Sequence, residues 1–247
     1  MLEVLKRRKG ITEEEELNEY MSLAYFDKDY DKITAEIPKR VLEGARKIGE
    51  NRKAFRKMLE TYVPQVGYSA PENPRILNLG CGVCYEAFVL SSYFGGKPPG
   101  SDSEEVLVVG IDIDKNSIER ARELYLKPDF SKEITKWVEP PNYKFIHGDA
   151  KQLKSLVDGE FDIIVARHPN VAEIPDTWYT IFRESNSLMR PDGLFLATSF
   201  SDIEHEMLEE LIQKAGYKIA LSTPNVHAIP TSHKEVSIDR KVLLARK

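Results

Sequence analysis

The feature that most constrains this chain is a unit that recurs along it. A short, continuously apolar run ends in a glycine or a polar residue and is followed by an amphipathic stretch of helical period. Residues 75–79 run into Gly80-Cys81-Gly82, 106–111 into Asp112, 143–146 into His147-Gly148-Asp149, and 161–166 into Arg167-His168-Pro169-Asn170. Strands without polar alternation are buried on both faces, and helices between them are the crossovers that cover those faces. The pattern predicts an α/β fold with a mostly parallel sheet. Right-handed crossovers put the carboxyl ends of such strands along one edge, where ligands bind in folds of this class. Gly80, Asp112, Asp149 and His168 all follow strand ends, so they are expected to converge.

The rest of the chain fits around this core. Residues 85–93 read as a helix, and Asn116 can cap another that turns Ile118, Ala121, Leu124 and Tyr125 inward. Residues 127–142 read as an irregular insertion. A helix from Trp178 to Met189 stops at Arg190-Pro191-Asp192-Gly193, and 194–198 form a fifth strand. Ile203, Met207, Leu208, Leu211, Ile212 and Ala215 share one helical face, closed by Gly216. Two final strands, 217–221 and 236–245, flank a loop.

Upstream, residues 1–70 read as helical. Thr12 and Glu15 have capping-box spacing, with Leu17, Tyr20, Met21 and Ala24 then on one face. Pro38 suits a helix's first position, and an apolar stripe follows from Val41 to Tyr62, with a break expected at Gly44 and Gly49. The proline-flanked segment 64–74 reads as a linker. The division expected is a helical cap at 1–70 and a ligand-binding core at 71–247.

An apolar fraction of 41% with 30% charged residues describes a folded globular chain. The formal net charge is −5, and the one basic run, Lys6 to Lys9, is countered by Glu13 to Glu16. Nucleic-acid binding needs a concentrated positive surface, so the balance favours a small-molecule partner, with RNA kept as an alternative. No apolar stretch approaches the ~20 residues of a membrane span, and no apolar run follows the N-terminal basic residues as in a signal peptide. The expected location is cytoplasmic.

A strand entering two closely spaced glycines lets the backbone bend and approach a ligand, while the next helix offers free N–H groups. The full dinucleotide pattern is absent because Tyr85 stands where its third glycine belongs. Asp112, ending the second strand, is placed to accept from the hydroxyls of a ribose. Cys81 and Cys84 form a C-x-x-C. Redox chemistry or half a metal site is the sharp reading, and occupancy of the glycine loop the plain one. No second cysteine pair completes a zinc site, so no metal is expected. His168 has the proton affinity to serve as a base, or it caps the turn made by Pro169.

The ordered set I-L-N-L-G-C-G at 76–82, V-V-G-I-D-I-D at 108–114, F-I-H-G-D-A at 145–150, F-D-I-I-V at 161–165 and L-M-R-P-D-G-L at 188–194 resembles the class I methyltransferases that use S-adenosylmethionine (SAM). The likeness runs from Arg75 to the end of the chain. It implies a Rossmann-like sheet of seven strands, the last antiparallel and inserted beside the fifth. By that resemblance, Gly80, Cys81 and Gly82 would pass beneath the methionine portion of SAM and Asn78 would face its amino group. Asp112 would hold the ribose, Ile113 would cover the adenine, and Asp149 and Ala150 would meet its polar edge. Ala166, Arg167 and His168 would line the site near the sulfonium, the last two as candidate catalytic residues. The family usually carries an acid at position 78 and a small glycine at 84, where this chain has Asn78 and Cys84. Methyl transfer is the expected activity; aminopropyl transfer and a non-catalytic SAM-binding module are the alternatives.

Overall fold

The computed structural model describes residues 39–98, 103–125, 127–129, 136–138, 140, 142–233 and 236–247. The capping box at Thr12, the face from Leu17 to Ala24, the tyrosines Tyr20, Tyr25 and Tyr30, and Pro38 lie outside these residues.

Seven strands form one sheet: β1 (Arg75–Leu79), β2 (Leu107–Asp112), β5 (Tyr143–His147), β6 (Phe161–Arg167), β7 (Met189–Ser199), β8 (Lys218–Pro224) and β11 (Lys241–Arg246). Their order is β5-β2-β1-β6-β7-β11-β8. Neighbours from β5 through β7 run parallel, whereas β11 is antiparallel to both β7 and β8. The chain thus has the sheet its strand pattern predicts, with the final strand inserted beside the fifth. Two small antiparallel pairs stand apart: β3 (Lys127–Asp129) with β4 (Lys136–Val138), and β9 (Ile229–Pro230) with β10 (Ser237–Ile238). The first lies inside the segment read as irregular.

Period-two alternation within the apolar strands divides the core between two layers. Ile76, Val108, Ile163, Leu194, Leu196, Val242 and Leu244 face one side. Leu77, Val109, Ile164, Phe195, Ala197, Leu243 and Ala245 face the other. The first layer is covered by α1 (Lys39–Tyr62), α2 (Ala87–Phe94) and α3 (Lys115–Leu124). The second is covered by α5 (Pro175–Leu188) and α6 (Asp202–Lys214), with Leu153 of the single-turn α4 (Leu153–Leu156) beside them. This is why the strands carry no polar alternation.

Several boundaries differ from expectation for local reasons. Helix α1 runs unbroken for 24 residues through Gly44 and Gly49. Pairs Glu43–Lys47 and Arg46–Glu50 bridge those glycines one turn apart. In its second half Phe55, Met58 and Leu59 are completely buried. Those gains offset the ~1 kcal/mol that each interior glycine costs. The cap of α3 is Asp114, which accepts from the N–H groups of Asn116 and Ser117, rather than Asn116. Helix α2 starts at Ala87 because 80–86 is spent in turns. Strand β7 begins at Met189, which pairs with Phe161 ahead of a register shift.

Because Phe55 is fully buried and its ring also lies beneath the Arg167 guanidinium, 4.6 Å from it, Phe55→Ala is expected to lower unfolding free energy by ~3–5 kcal/mol. Chemical denaturation of the two proteins measures this, and a loss below ~1 kcal/mol would mean that α1 docks only loosely.

Candidate functional site

The turn after β1 is built from left-handed backbone. Gly80, Gly82 and Cys84 have φ of 60°, 52° and 55°. Gly80 is required twice over, since a Cβ there would stand 3.1 Å from the Trp178 ring. Around Gly82 a Cβ would meet nothing within 4 Å, so space is left on that side of the turn. Cys84 adopts a conformation that costs an ordinary residue about 1–2 kcal/mol. Its carbonyl accepts from the Tyr125 hydroxyl at 2.8 Å and from the Ala87 N–H at 3.0 Å, while its own N–H donates to Cys81.

The two cysteine sulfurs share one slot in the sheet. A Cβ on Gly110 would lie 2.8 Å from the Cys81 sulfur and 3.3 Å from that of Cys84. Gly110 of β2 is therefore the vacancy that lets a cysteine stand where a smaller residue is usual. Both thiols are free and buried, and burial, then the neighbouring Cys81, pushes the Cys84 thiol well up. A thiol so placed is a poor nucleophile and a poor metal ligand. No cluster of metal-binding side chains is present among the described residues.

Asp112 closes the loop from the second strand. Its Oδ2 accepts the Gly82 N–H at 2.7 Å and its Oδ1 the Asp114 N–H at 2.8 Å. Each oxygen keeps a further lone pair, which suits a diol. Beside it, Ile113 is 72% exposed, an apolar surface without a cover among the described residues. Asp149, one strand over, caps the turn 150–152 through Oδ1 and faces the Lys151 ammonium through Oδ2, with Ala150 half-buried next to it. The Gly148 N–H donates to the Asp112 carbonyl and holds the two strand ends together.

The end of β6 differs from its sequence reading. Ala166 packs wholly within the second core layer and presents no surface to a ligand. Arg167 is a buried clamp rather than a free fork. Nε and Nη2 grip both oxygens of Asp239, Nη2 also donates to Asn51 of α1 at 2.6 Å, and Nη1 lies 3.9 Å from Glu86. Burial opposes its charge, but Asp239 and Glu86 more than offset it and leave its pKa raised. Asp239 experiences the reverse: burial pushes its carboxyl up, and Arg167 and His168 outweigh that and hold it far below the usual carboxylate range.

His168 is fixed from two sides. Its ring stacks on Phe200 with centroids 3.8 Å apart, and its Nε2 lies 2.9 Å from Asp239 Oδ1 and 3.0 Å from the Asp239 backbone N. The Asp239 N–H donates to Nε2, so backbone and carboxylate of one residue fix the ring at that nitrogen. Both His168 and Asp239 have left-handed backbones, with φ of 54° and 52°. These and Cys84 are the non-glycine residues with positive φ among those described, and strain of this kind gathers at functional sites.

A family model described as "Methyltransferase domain" matches residues 71–242. The chain belongs to that family. It is a SAM-dependent methyltransferase, with SAM as its methyl donor. A SAM-dependent methyltransferase from Clostridium acetobutylicum superposes with a TM-score of 0.54 at 10% identity, over 79% of this chain and 91% of its own. One from Methanosarcina mazei reaches 0.54 at 17% identity, over 74% and 97%. The magnesium protoporphyrin IX methyltransferase of Synechocystis, solved with bound SAM, gives 0.51 at 12% over 97% and 99%. At such identities the likeness is one of fold. A search of curated proteins by sequence returns no significant match.

The chemistry of the methyltransferase's residues fits its donor. Left-handed glycines at the turn, a half-buried carboxylate with spare lone pairs, an exposed isoleucine and a buried cluster of one guanidinium against two carboxylates suit an adenosine carrying a cationic tail. Sequence reasoning missed Glu86, Asn51, Phe200 and Asp239. Glu86 alone had a local signal, a single acid at the head of the apolar run 87–90.

Asp239→Asn should destabilise the fold by ~3–5 kcal/mol at pH 7, since it leaves a buried guanidinium short of a partner. A carboxyl with a depressed folded pKa contributes its full stability above the unfolded value near ~4 and loses it as pH falls further. The gap between wild type and variant should therefore narrow below about pH 4, and a gap constant down to pH 2.5 in urea melts would contradict this account.

Proposed function

We propose that the methyltransferase binds SAM across the carboxyl edge of β1, β2 and β5 and methylates a small-molecule acceptor held against the end of β6. The observation that carries the donor pose is Asp112, whose two oxygens are fixed by the N–H groups of Gly82 and Asp114 while retaining lone pairs for a ribose. In this reading Gly80, Cys81 and Gly82 contribute backbone beneath the methionine portion. Ile113 covers the adenine, and Asp149 with Ala150 meets its polar edge. The preference for a small acceptor rests on a net charge of −5.

SAM supplies a methyl group already activated by its sulfonium. The protein's task is then alignment and exclusion of water. Arg167, held by Asp239, Asn51 and Glu86, positions the wall and does not itself meet the acceptor. His168, oriented by Asp239 and Phe200, serves as the base for the acceptor's proton. Helix α1 flanks the acceptor side; Asn51 and Arg52 reach the site from it, Arg52 donating to the Tyr85 carbonyl at 2.7 Å.

Asp112→Ala is expected to weaken SAM binding by ~1–3 kcal/mol, the value of a hydrogen-bonded partner lost from a ribose. Calorimetry reads it directly, and unchanged affinity would remove Asp112 from the donor site. Labelled SAM incubated with pooled metabolites and, separately, with transfer and ribosomal RNA tests the acceptor class; label entering RNA alone would overturn the small-molecule reading. With an acceptor in hand, His168→Ala should lower the maximal rate ~10²–10⁴-fold at unchanged SAM affinity. A rate equal to wild type would leave His168 a turn residue.

A further inference from the structure

The penultimate residue of strand β1 is an amide, Asn78, and the amide's orientation shows what stands behind it. Its Nδ2 donates to Glu86 Oε1 at 2.6 Å and to the Cys84 sulfur at 3.2 Å. A carboxylate can only accept, so the NH₂ must face Glu86. The Asn78 Oδ1 is left on the other side, buried and without a hydrogen bond. Asn78 is 1% exposed and holds its neighbour in place; it does not reach outward itself.

Glu86 sits at the head of α2 yet makes no capping bond with its side chain. It is 7% exposed, so it has given up most of its hydration. One oxygen is pinned by Asn78. The other, Oε2, has no hydrogen bond among the described residues, its nearest cation being Arg167 Nη1 at 3.9 Å. That guanidinium is already committed to both oxygens of Asp239 and to Asn51. Arg167 therefore faces two buried carboxylates, and Glu86 is the more distant one. A buried carboxylate in that condition calls for a cation that can donate.

SAM has two cationic centres. Its sulfonium has no N–H, whereas its α-ammonium has three. The adenine amine is neutral, and Asp112 is committed to the ribose in the pose proposed above. We propose that Glu86 Oε2 receives the α-ammonium of SAM and that Asn78 is the residue that positions it. The negative charge absent from the end of β1 is thereby supplied from the head of the following helix. This rests on the donor pose proposed above.

The test is calorimetry on the full chain with S-adenosylhomocysteine and its deaminated analogue, which keeps the carboxylate and lacks only the ammonium. Wild type should favour the amino compound by about tenfold or more, the effect of a charge-assisted hydrogen bond. In Glu86→Gln, which is isosteric, that preference should fall to within about threefold, with the analogue's affinity nearly unchanged. Asn78→Ala, which frees the carboxylate without removing it, should reduce the preference by a smaller factor. Wild type that binds neither compound would overturn the donor pose and this assignment with it. Wild type that binds both without preference, or a Glu86→Gln variant that retains the preference, would overturn the assignment to Glu86 alone. The ligand comparison on wild type decides the matter even where a variant fails to fold.

Discussion

The buried guanidinium of Arg167 is the constraint on which the rest of the site depends. An arginine cannot shed its charge on burial, so the fold must bring acceptors to it. They come from three places far apart in sequence: Asn51 and Phe55 of α1, Glu86 ahead of α2, and Asp239 ahead of β11. Arg167 itself ends β6 at the centre of the sheet's carboxyl edge. Removing one acceptor leaves a desolvated charge, so the cluster stands or falls together. The turn after β1 and the end of β6 are thus parts of one electrostatic object.

Strain is distributed around this object in a consistent way. Cys84, His168 and Asp239 each hold a left-handed backbone that a residue with a side chain avoids, and each is fixed by its neighbours. Tyr125 and Ala87 hold Cys84 through its carbonyl. Asp239 and Phe200 hold His168. Arg167 holds Asp239, whose carbonyl also accepts from the Asn225 amide at 2.8 Å. Glycine would relieve the backbone at these positions but would remove the side chains that the cluster uses.

What the sequence made legible follows the range of the interactions. The glycine turn, the acid after β2 and the apolar strands are local signals, because backbone conformation and two-sided burial are decided within a few residues. The final strand's place beside β7 came from resemblance and agrees with the observed ladder. The partners of Arg167 were not legible. Asp239 lies 72 positions away and Asn51 lies 116, and no spacing rule links such residues. In isolation Arg167 reads as a candidate catalytic residue, and Ala166 as a wall of the site, until the neighbouring strands show which way each faces. The unbroken α1 is a similar case. Glycine propensity is a weak prior, and the burial of Phe55, Met58 and Leu59 decides the matter.

The insertion of β11 between β7 and β8 also governs the order of assembly. Within the sheet β8 pairs with β11 and with no other strand. A strand made earlier must therefore wait, its edge unpaired, for one made later. The five parallel strands and the glycine turn all precede β11 in the chain. Asp239 enters with the turn that precedes β11, so the clamp on Arg167 and His168 closes in the same event that seats β8. β8 is therefore the sheet's dependent edge: displacing β11 would unpair it and undo the clamp together.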